Sequence, residues 1–256
     1  MNIKKLIINI PPLFSNIVEE NPENMKNLVT DTFETASGKK LEITFIVHAS
    51  LKFRFGDRVI YVDPASSLAD FSGCEKADFI LFTHHHSDHF DLKALEDLAT
   101  ADTTIVCTKT VAEQIPDRED RDIEIMKNGD SLNFRKGFAV EAVPAYNYLM
   151  REQFHPAGRD NGYILTFDGL TVYVAGDTED VPAIQRLAGR NFDIAFLPVN
   201  QPFTMTVRQA VNAARIIKPR IFYPYHYGQV EEVTDLEQLC ADLEGSGIEV
   251  RLREMP

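Results

Sequence analysis

The chain has 256 residues, 44% of them hydrophobic, which is enough to bury a substantial core and excludes pervasive disorder. Lysine and arginine number 26 against 39 aspartates and glutamates, a formal charge of −13 that repels polyanions, so nucleic acid and anionic lipid surfaces are poor partners. No stretch of about 18 apolar residues occurs, which argues against a transmembrane helix, and three scattered cysteines, Cys74, Cys107 and Cys240, with no C-x-x-C pair predict free thiols in a reducing, cytoplasmic setting.

The opening "MNIKKLIINIPPLF" sets two lysines before a short apolar run, as a secretory leader does, but Pro11 and Pro12 interrupt it and no small-x-small cleavage site follows. Residues 1–40 are polar and mixed, with room for a short helix, and read as an N-terminal extension; residues 41–256 read as one domain. From Leu41 the texture becomes β-rich: "LEITFIVHA", "LKFRF", a Gly-Asp turn and "RVIYVD", with Phe53 and Phe55 alternating against Lys52 and Arg54, predict a meander of antiparallel strands. The continuous apolar run "ADFILFT" predicts a buried central strand. After it, "DLKALEDLAT" spaces Leu92, Leu95 and Leu98 as a helical stripe, and "TTIVCT" with "KTVAEQI" reads as strand then helix.

A second β-rich block follows, "IEIMKNGDSLNF" with an Asn-Gly turn, "GFAVEAVPAYN", "GYILTFDGLTVYVAGD" with an Asp-Gly turn, and "FDIAFLPV". "TVRQAVNAARIIKP" is predicted helical, with Val207, Ala210, Val211, Ala214 and Ile217 on one face, before a strand "RIFYPYH", a helix "DLEQLCADLEG" and a last strand. Both halves thus pass from meander to alternating strands and helices, which predicts two sheets packed face to face with helices outside and an internal pseudo-duplication.

The densest chemistry lies in "LFTHHHSDHFD", residues 81–91, which holds four of the seven histidines, His84, His85, His86 and His89, with Asp88 among them. In an extended segment alternate residues share a side, so His84 and His86 converge while His85 faces away. Asp88 and His89, beyond a turn at Ser87, present a carboxylate and a further imidazole nearby. Nitrogen and oxygen donors without cysteine suit a catalytic Zn²⁺, with Mn²⁺ or Fe²⁺ as alternatives. The bland alternative, a solvated histidine-rich loop, fits poorly with its place at the end of an apolar strand.

"THHHSDH" has the form T-H-x-H-x-D-H and resembles the signature of the metallo-β-lactamase fold superfamily. "HASLKFRFGDRVIYVDP" (residues 48–64), "VYVAGDT" and "YPYHYG" are similar to further motifs of its broad metal-dependent hydrolase branch, the one that includes ascorbate-6-phosphate lactonase and N-acyl-phosphatidylethanolamine phospholipase D; together they span roughly residues 41–230. The resemblance implies an α+β, four-layer αββα sandwich with one or two metals at the sheet edges. It also implies a ligand set: His84 and His86 on a first metal, Asp88, His89 and His226 on a second, and Asp177 bridging them. Taken alone, Asp177 could instead cap a following helix, and His226 could be a satisfied core histidine. Relatives commonly place a third histidine for the first metal after a strand like "VEAVPA", where this chain has Asn147, a weak ligand. His155, eight residues on, is the candidate replacement, as ligand or as substrate contact. Asp63 is a candidate for fixing a ligand imidazole, and His48 for facing the site.

A metal pair of this kind lowers the pKa of water to about 7, making hydroxide available at neutral pH. Asp88 would orient it and accept its proton, and His226 or a water would protonate the leaving group. The expected function is therefore a metal-dependent hydrolase of a small ester, lactone, amide or phosphodiester, with Arg151 and Arg159 as candidate receivers of an anionic substrate group. The alternatives are a nuclease of the same fold, which the charge disfavours, a flavo-diiron-type oxidoreductase, which would place a glutamate at position 86, and a non-catalytic metal-binding protein. Nothing in the sequence speaks to oligomeric state.

Overall fold

The computed structural model describes residues 28–148, 151–228 and 233–255. Among the described residues fourteen strands form two seven-stranded sheets, each running in chain order. In the first, β1 (Thr30–Glu34), β2 (Lys40–Val47), β3 (Ser50–Phe55) and β4 (Arg58–Val62) form an antiparallel meander. The chain then switches to parallel pairing through β5 (Phe79–Leu81), β6 (Thr104–Cys107) and β7 (Asp122–Ile125). The second sheet repeats this plan. β8 (Ser131–Phe134), β9 (Phe138–Ala145), β10 (Asp160–Phe167) and β11 (Leu170–Val174) are antiparallel, and β12 (Ile194–Pro198), β13 (Ile221–Tyr225) and β14 (Glu249–Val250) continue in parallel. The expected pseudo-duplication is thus visible in the topology itself.

Alternation decides the layers. Leu51, Phe53 and Phe55 of β3 are buried between the sheets while Lys52 and Arg54 turn outward and are only half-buried. From the facing sheet Phe167 stacks on Phe53 at 5.7 Å, and Tyr223 meets Phe45 at 4.9 Å, so aromatic pairs join the two inner faces. The outer face of the first sheet carries α1 (Leu92–Leu98) and α2 (Lys109–Ala112) over a second apolar cluster. That of the second carries α3 (Pro182–Gln185), α4 (Val207–Ile217) and α5 (Leu236–Leu243) over a third. This is the α+β, four-layer αββα sandwich. The predicted face of α4 buries Ala210, Val211, Ala214 and Ile217 as expected, behind a Thr206–Gln209 capping box. Leu92, by contrast, stands at the first position of α1, exposed, and Ala94 packs in its place.

Two expectations change. The sheet begins before Leu41, because Thr30–Glu34 pairs antiparallel with β2; the boundary at residue 40 falls inside this hairpin, and the expected short helix lies largely outside the described residues. Asn128-Gly129 is also not a hairpin turn. It carries the chain from β7, at the edge of the first sheet, to β8, at the edge of the second, with Gly129 at a φ of 96°. The Asn128 amide donates to the carbonyl of Asp160 and to Asn161 Oδ1, which fixes this crossover against β10.

Candidate metal centre

The strand ends at one edge of the sandwich deliver the polar residues. His48 follows β2, Asp63 follows β4, and His226 follows β13, each at a left-handed φ of 55°, 48° and 55°, so each strand stops where its next side chain turns into the cleft. The segment after β5 supplies Thr83 through His89, and Gly176 after β11 brings in Asp177. A Cβ on Gly176 would stand 2.9 Å from the carbonyl of Asn161 and 3.2 Å from Thr83 Cβ, at a φ of 64°, so only glycine fits there. His48, His84, His89, His155, Asp177 and His226 are all buried.

The two oxygens of Asp177 divide the site. Oδ2 lies 3.3 Å from His155 Nε2 and 4.0 Å from His84 Nε2; Oδ1 lies 3.2 Å from both His89 Nε2 and His226 Nε2. On the Oδ2 side, His84, His86 and His155 present ring nitrogens within 4.8 Å of one another, with ring centres 4.6 to 4.9 Å apart. On the Oδ1 side, Asp88 Oδ2 stands 3.3 Å from His48 Nε2, 3.5 Å from His226 Nε2 and 3.7 Å from His89 Nε2. His85 belongs to neither group.

Four of these rings are held by the nitrogen that faces away from the centre. His89 Nδ1 donates to Asp63 Oδ2 at 2.9 Å, and Thr83 donates to the same carboxylate through its backbone N–H and its hydroxyl, both at 2.7 Å. That hydroxyl, 3.0 Å from His84 Nδ1, accepts the His84 proton, so one buried aspartate orients two imidazoles. His155 Nδ1 donates to Asp160 Oδ2 at 3.1 Å. His226 Nδ1 lies 3.1 Å from the Asn200 side-chain amide; with the proton on Nδ1, the Asn200 carbonyl oxygen accepts it, which also satisfies an oxygen otherwise without a partner. In each case Nε2 is left for the centre.

The electrostatics favour a cation. Burial opposes a charged Asp177, yet His226, His89 and His155 hold its pKa well below the ordinary carboxylate value; Asp88 is likewise held low against burial by His89, His226 and His48. Burial pushes His84 well below its usual value and His86 to about 4, keeping both as neutral donors, and burial with the neighbouring His226 takes His48 to about 4 as well. His89 is drawn well above its ordinary value, against burial, by Asp177, Asp88 and Asp63. His84 Nε2 and Asp177 Oδ1 are both buried without a hydrogen-bond partner. A cation among these atoms satisfies both, so the donor set fits a metal.

Asn147 is buried, and its Oδ1 has no hydrogen-bond partner. Its Nδ2 donates to the Phe203 carbonyl at 2.6 Å, and its backbone N–H donates to the His155 carbonyl at 2.8 Å. The His155 backbone is thereby held against that of Asn147, eight positions earlier. Arg151 and Arg159, the candidate receivers of a substrate anion, both have partners within the protein. Arg151 donates to the Pro202 and Thr204 carbonyls, both at 3.2 Å, and lies 3.4 Å from the buried Glu179; Arg159 grips Asp160 with two hydrogen bonds of 2.7 Å. Asp177 caps no helix, since α3 starts after Val181. Asp160 and Asn200 were not anticipated. Asn200 had a signal, a polar residue directly after the apolar run of a parallel strand; Asp160, in "GRDNGY", had none that separates it from turn chemistry.

The family model described as "Beta-lactamase superfamily domain" matches residues 42–226. The chain belongs to the metallo-β-lactamase superfamily, among its metal-dependent hydrolases. It is 32% identical over 224 residues to a UPF0173 metal-dependent hydrolase of Archaeoglobus fulgidus, covering 83% of this chain and 94% of the relative. The corresponding protein of Thermococcus kodakarensis is 31% identical, over 73% and 84% of the two chains. A crystal structure from Parabacteroides distasonis, assigned as a metal-dependent hydrolase, shares 47% identity at a TM-score of 0.83 and covers 90% of this chain and all of its own. The metallo hydrolase Igni18 of Ignicoccus hospitalis, at 22% identity, a TM-score of 0.70 and coverage of 84% and 95%, shares the fold.

Proposed function

We propose that this metallo-β-lactamase-fold hydrolase holds two metal ions, zinc first among the candidates, and uses them to hydrolyse a small ester, lactone, amide or phosphodiester. The observation that carries the reading is the division of Asp177 between two donor groups, with four imidazoles held through Nδ1 so that Nε2 faces the centre. His84, His86 and His155 would hold the first metal, Asp88, His89 and His226 the second, and Asp177 would bridge. Imidazole and carboxylate donors without thiolate suit zinc, and also Mn²⁺ or Fe²⁺. When bound, the metals supply Lewis-acid polarisation of the substrate oxygen and a water acidic enough to ionise near neutral pH.

The chain's own residues do the rest. Asp88 is the most accessible of the central carboxylates, its side chain 39% exposed, and it is held ionised. It orients the attacking water and takes its proton. His226 faces the centre through Nε2 and Asn200 through Nδ1, so neither nitrogen is left to serve the leaving group. That proton returns from Asp88 instead, in place of the donor role expected for His226. The free cysteines Cys74, Cys107 and Cys240 fit a reducing compartment such as the cytoplasm, and among the described residues no helix is long and apolar enough to cross a membrane.

The test is elemental analysis of the purified chain with a panel of esters, lactones, amides, phosphodiesters and RNA. Two metals per chain and turnover of a small substrate are expected, with Asp177→Ala losing metal and turnover together. Metal content unchanged by Asp177→Ala sinks the assignment, and turnover confined to RNA moves the reading to the nuclease.

A further inference from the structure

His155 is the one donor of the centre that comes from a loop outside the main motifs, and its ring has a support of its own. The Asn147 N–H on the His155 carbonyl closes the loop on one side; on the other, Arg159 donates to the Phe154 carbonyl at 2.7 Å. The ring then meets Asp160, the first residue of β10, which pairs with Ala145 of β9 and is fully buried. Arg159 reaches Asp160 with Nε on Oδ1 and an Nη on Oδ2, each at 2.7 Å, and His155 Nδ1 donates to that same Oδ2 at 3.1 Å.

We propose that Asp160, clamped by Arg159, is a positioning residue for the first metal site alone: it fixes the tautomer and angle of His155, so that a histidine eight residues beyond Asn147 serves as the third imidazole. The proposal rests on the reading of His84, His86 and His155 as ligands. Three physical points support it. A carboxylate accepts only, so His155 keeps a proton on Nδ1, and the nitrogen it can offer a metal is Nε2, which lies 3.3 Å from Asp177 Oδ2. The guanidinium is always charged, so Asp160 is never a bare buried carboxylate and the pair adds little net charge to the centre. The imidazoles His84 and His89 depend on Asp63 and His226 on Asn200, so Asp160 touches one ligand and no other.

The experiment uses the full chain, stripped and reloaded with Zn²⁺ for stoichiometry and chelator competition, and with Co²⁺ for its visible spectrum. His155→Ala should lose one of two metals. Asp160→Ala should weaken that same metal about 10–100-fold, leave the other unchanged and alter the Co²⁺ spectrum. Asp160→Asn, which keeps an acceptor oxygen, should recover part of both. Wild-type binding in Asp160→Ala, or equal weakening of both metals, overturns the positioning role. Should Asp160→Ala fail to fold, Asp160→Asn and Arg159→Met carry the same comparison, with the second metal as internal control. Two metals held at wild-type affinity by His155→Ala would instead refute the ligand reading beneath it.

Discussion

Removing Asp63 tests whether one buried carboxylate supports both the fold and the metal centre. Asp63 is fully buried and accepts from the Thr83 N–H, the Thr83 hydroxyl and His89 Nδ1 at 2.7, 2.7 and 2.9 Å. In Asp63→Ala the hydroxyl can rotate toward another acceptor, but the backbone N–H and the imidazole N–H are stranded, at about 1–3 kcal/mol each. Alanine also tolerates the 48° φ less well than aspartate, adding about 1 kcal/mol. The total, about 3–7 kcal/mol, is a large share of the roughly 5–15 kcal/mol that holds a typical domain folded. Urea unfolding of the metal-free protein reads this directly. Because Asp63 orients His89 itself and His84 through Thr83, chelator competition should show both metals weakened about 10–100-fold, unlike the one-site loss expected at Asp160. Asp63→Asn keeps the backbone geometry and one acceptor and should fall between. A wild-type urea midpoint together with wild-type affinity at both sites in Asp63→Ala would refute the reasoning.

Three further outcomes are expected. Asp31 accepts from Arg253 Nη2 at 2.6 and 2.7 Å, from Arg251 and from the Tyr223 hydroxyl, which lower its pKa although burial opposes this. A depressed folded pKa stabilises fully above the ordinary 3.8 and loses that contribution as pH falls through the folded value, so Asp31→Asn should cost about 1.5–3 kcal/mol at neutral pH and approach wild type in acid urea titrations; a gap that does not narrow at all as the pH falls below 3.8 counts against the ion pair. Gly176→Ala meets the Asn161 carbonyl at 2.9 Å and should lower both the melting temperature, by about 5–10 °C, and metal content, since Asp177 is next in the chain; calorimetry and elemental analysis check both. His48→Gly relieves a left-handed φ of 55° and a buried Nδ1 without a partner, but removes the ring tilted against His226 at 3.7 Å and the contact to Asp88. Metal-free stability should stay within about 1 kcal/mol of wild type while the second metal weakens; a large loss of metal-free stability would mean that His48 serves packing.

Much of the fold was legible because burial imposes periodicity. Leu51, Phe53 and Phe55 alternate because β3 faces the other sheet on one side only, and the α4 stripe follows from its single buried face. The T-H-x-H-x-D-H run was legible because its candidate donors, close in space, are also close in sequence. What escaped was the long-range pairing of polar groups. Asn128-Gly129 carries a hairpin signature, yet its amide is taken up by residues more than thirty positions away, and no local pattern encodes that. Arg159 beside Asp160 has the composition of a solvated loop; only the pairing of Asp160 with Ala145 across β9 and β10 places it under His155. Asn147 stood where a ligand was expected, and side-chain chemistry does not announce the backbone hydrogen bond that holds His155 against it.

The three left-handed residues at the cleft share a logic that connects topology to chemistry. A strand that ends at an L-residue with positive φ gives up about 1–2 kcal/mol of backbone preference, so such ends persist where surrounding contacts over-determine them. Here they do: Ser50 donates to the Asp63 carbonyl at 2.6 Å, and the His226 N–H donates to the His48 carbonyl at 3.1 Å, tying the two half-sheets together at the metal edge. The same turn that strains each backbone turns its side chain out of the strand line, His48 toward Asp88 and His226, Asp63 toward Thr83 and His89, and His226 toward Asp177 and Asp88. The pseudo-duplicated topology supplies two sets of parallel strand ends at one edge, and these sharp exits bring residues from both sets within a few ångströms. A centre assembled from the two sheets in this way depends on their packing, so inter-sheet contacts such as Phe53 on Phe167 and Phe45 on Tyr223 set the distance between its donors as surely as the ligands themselves.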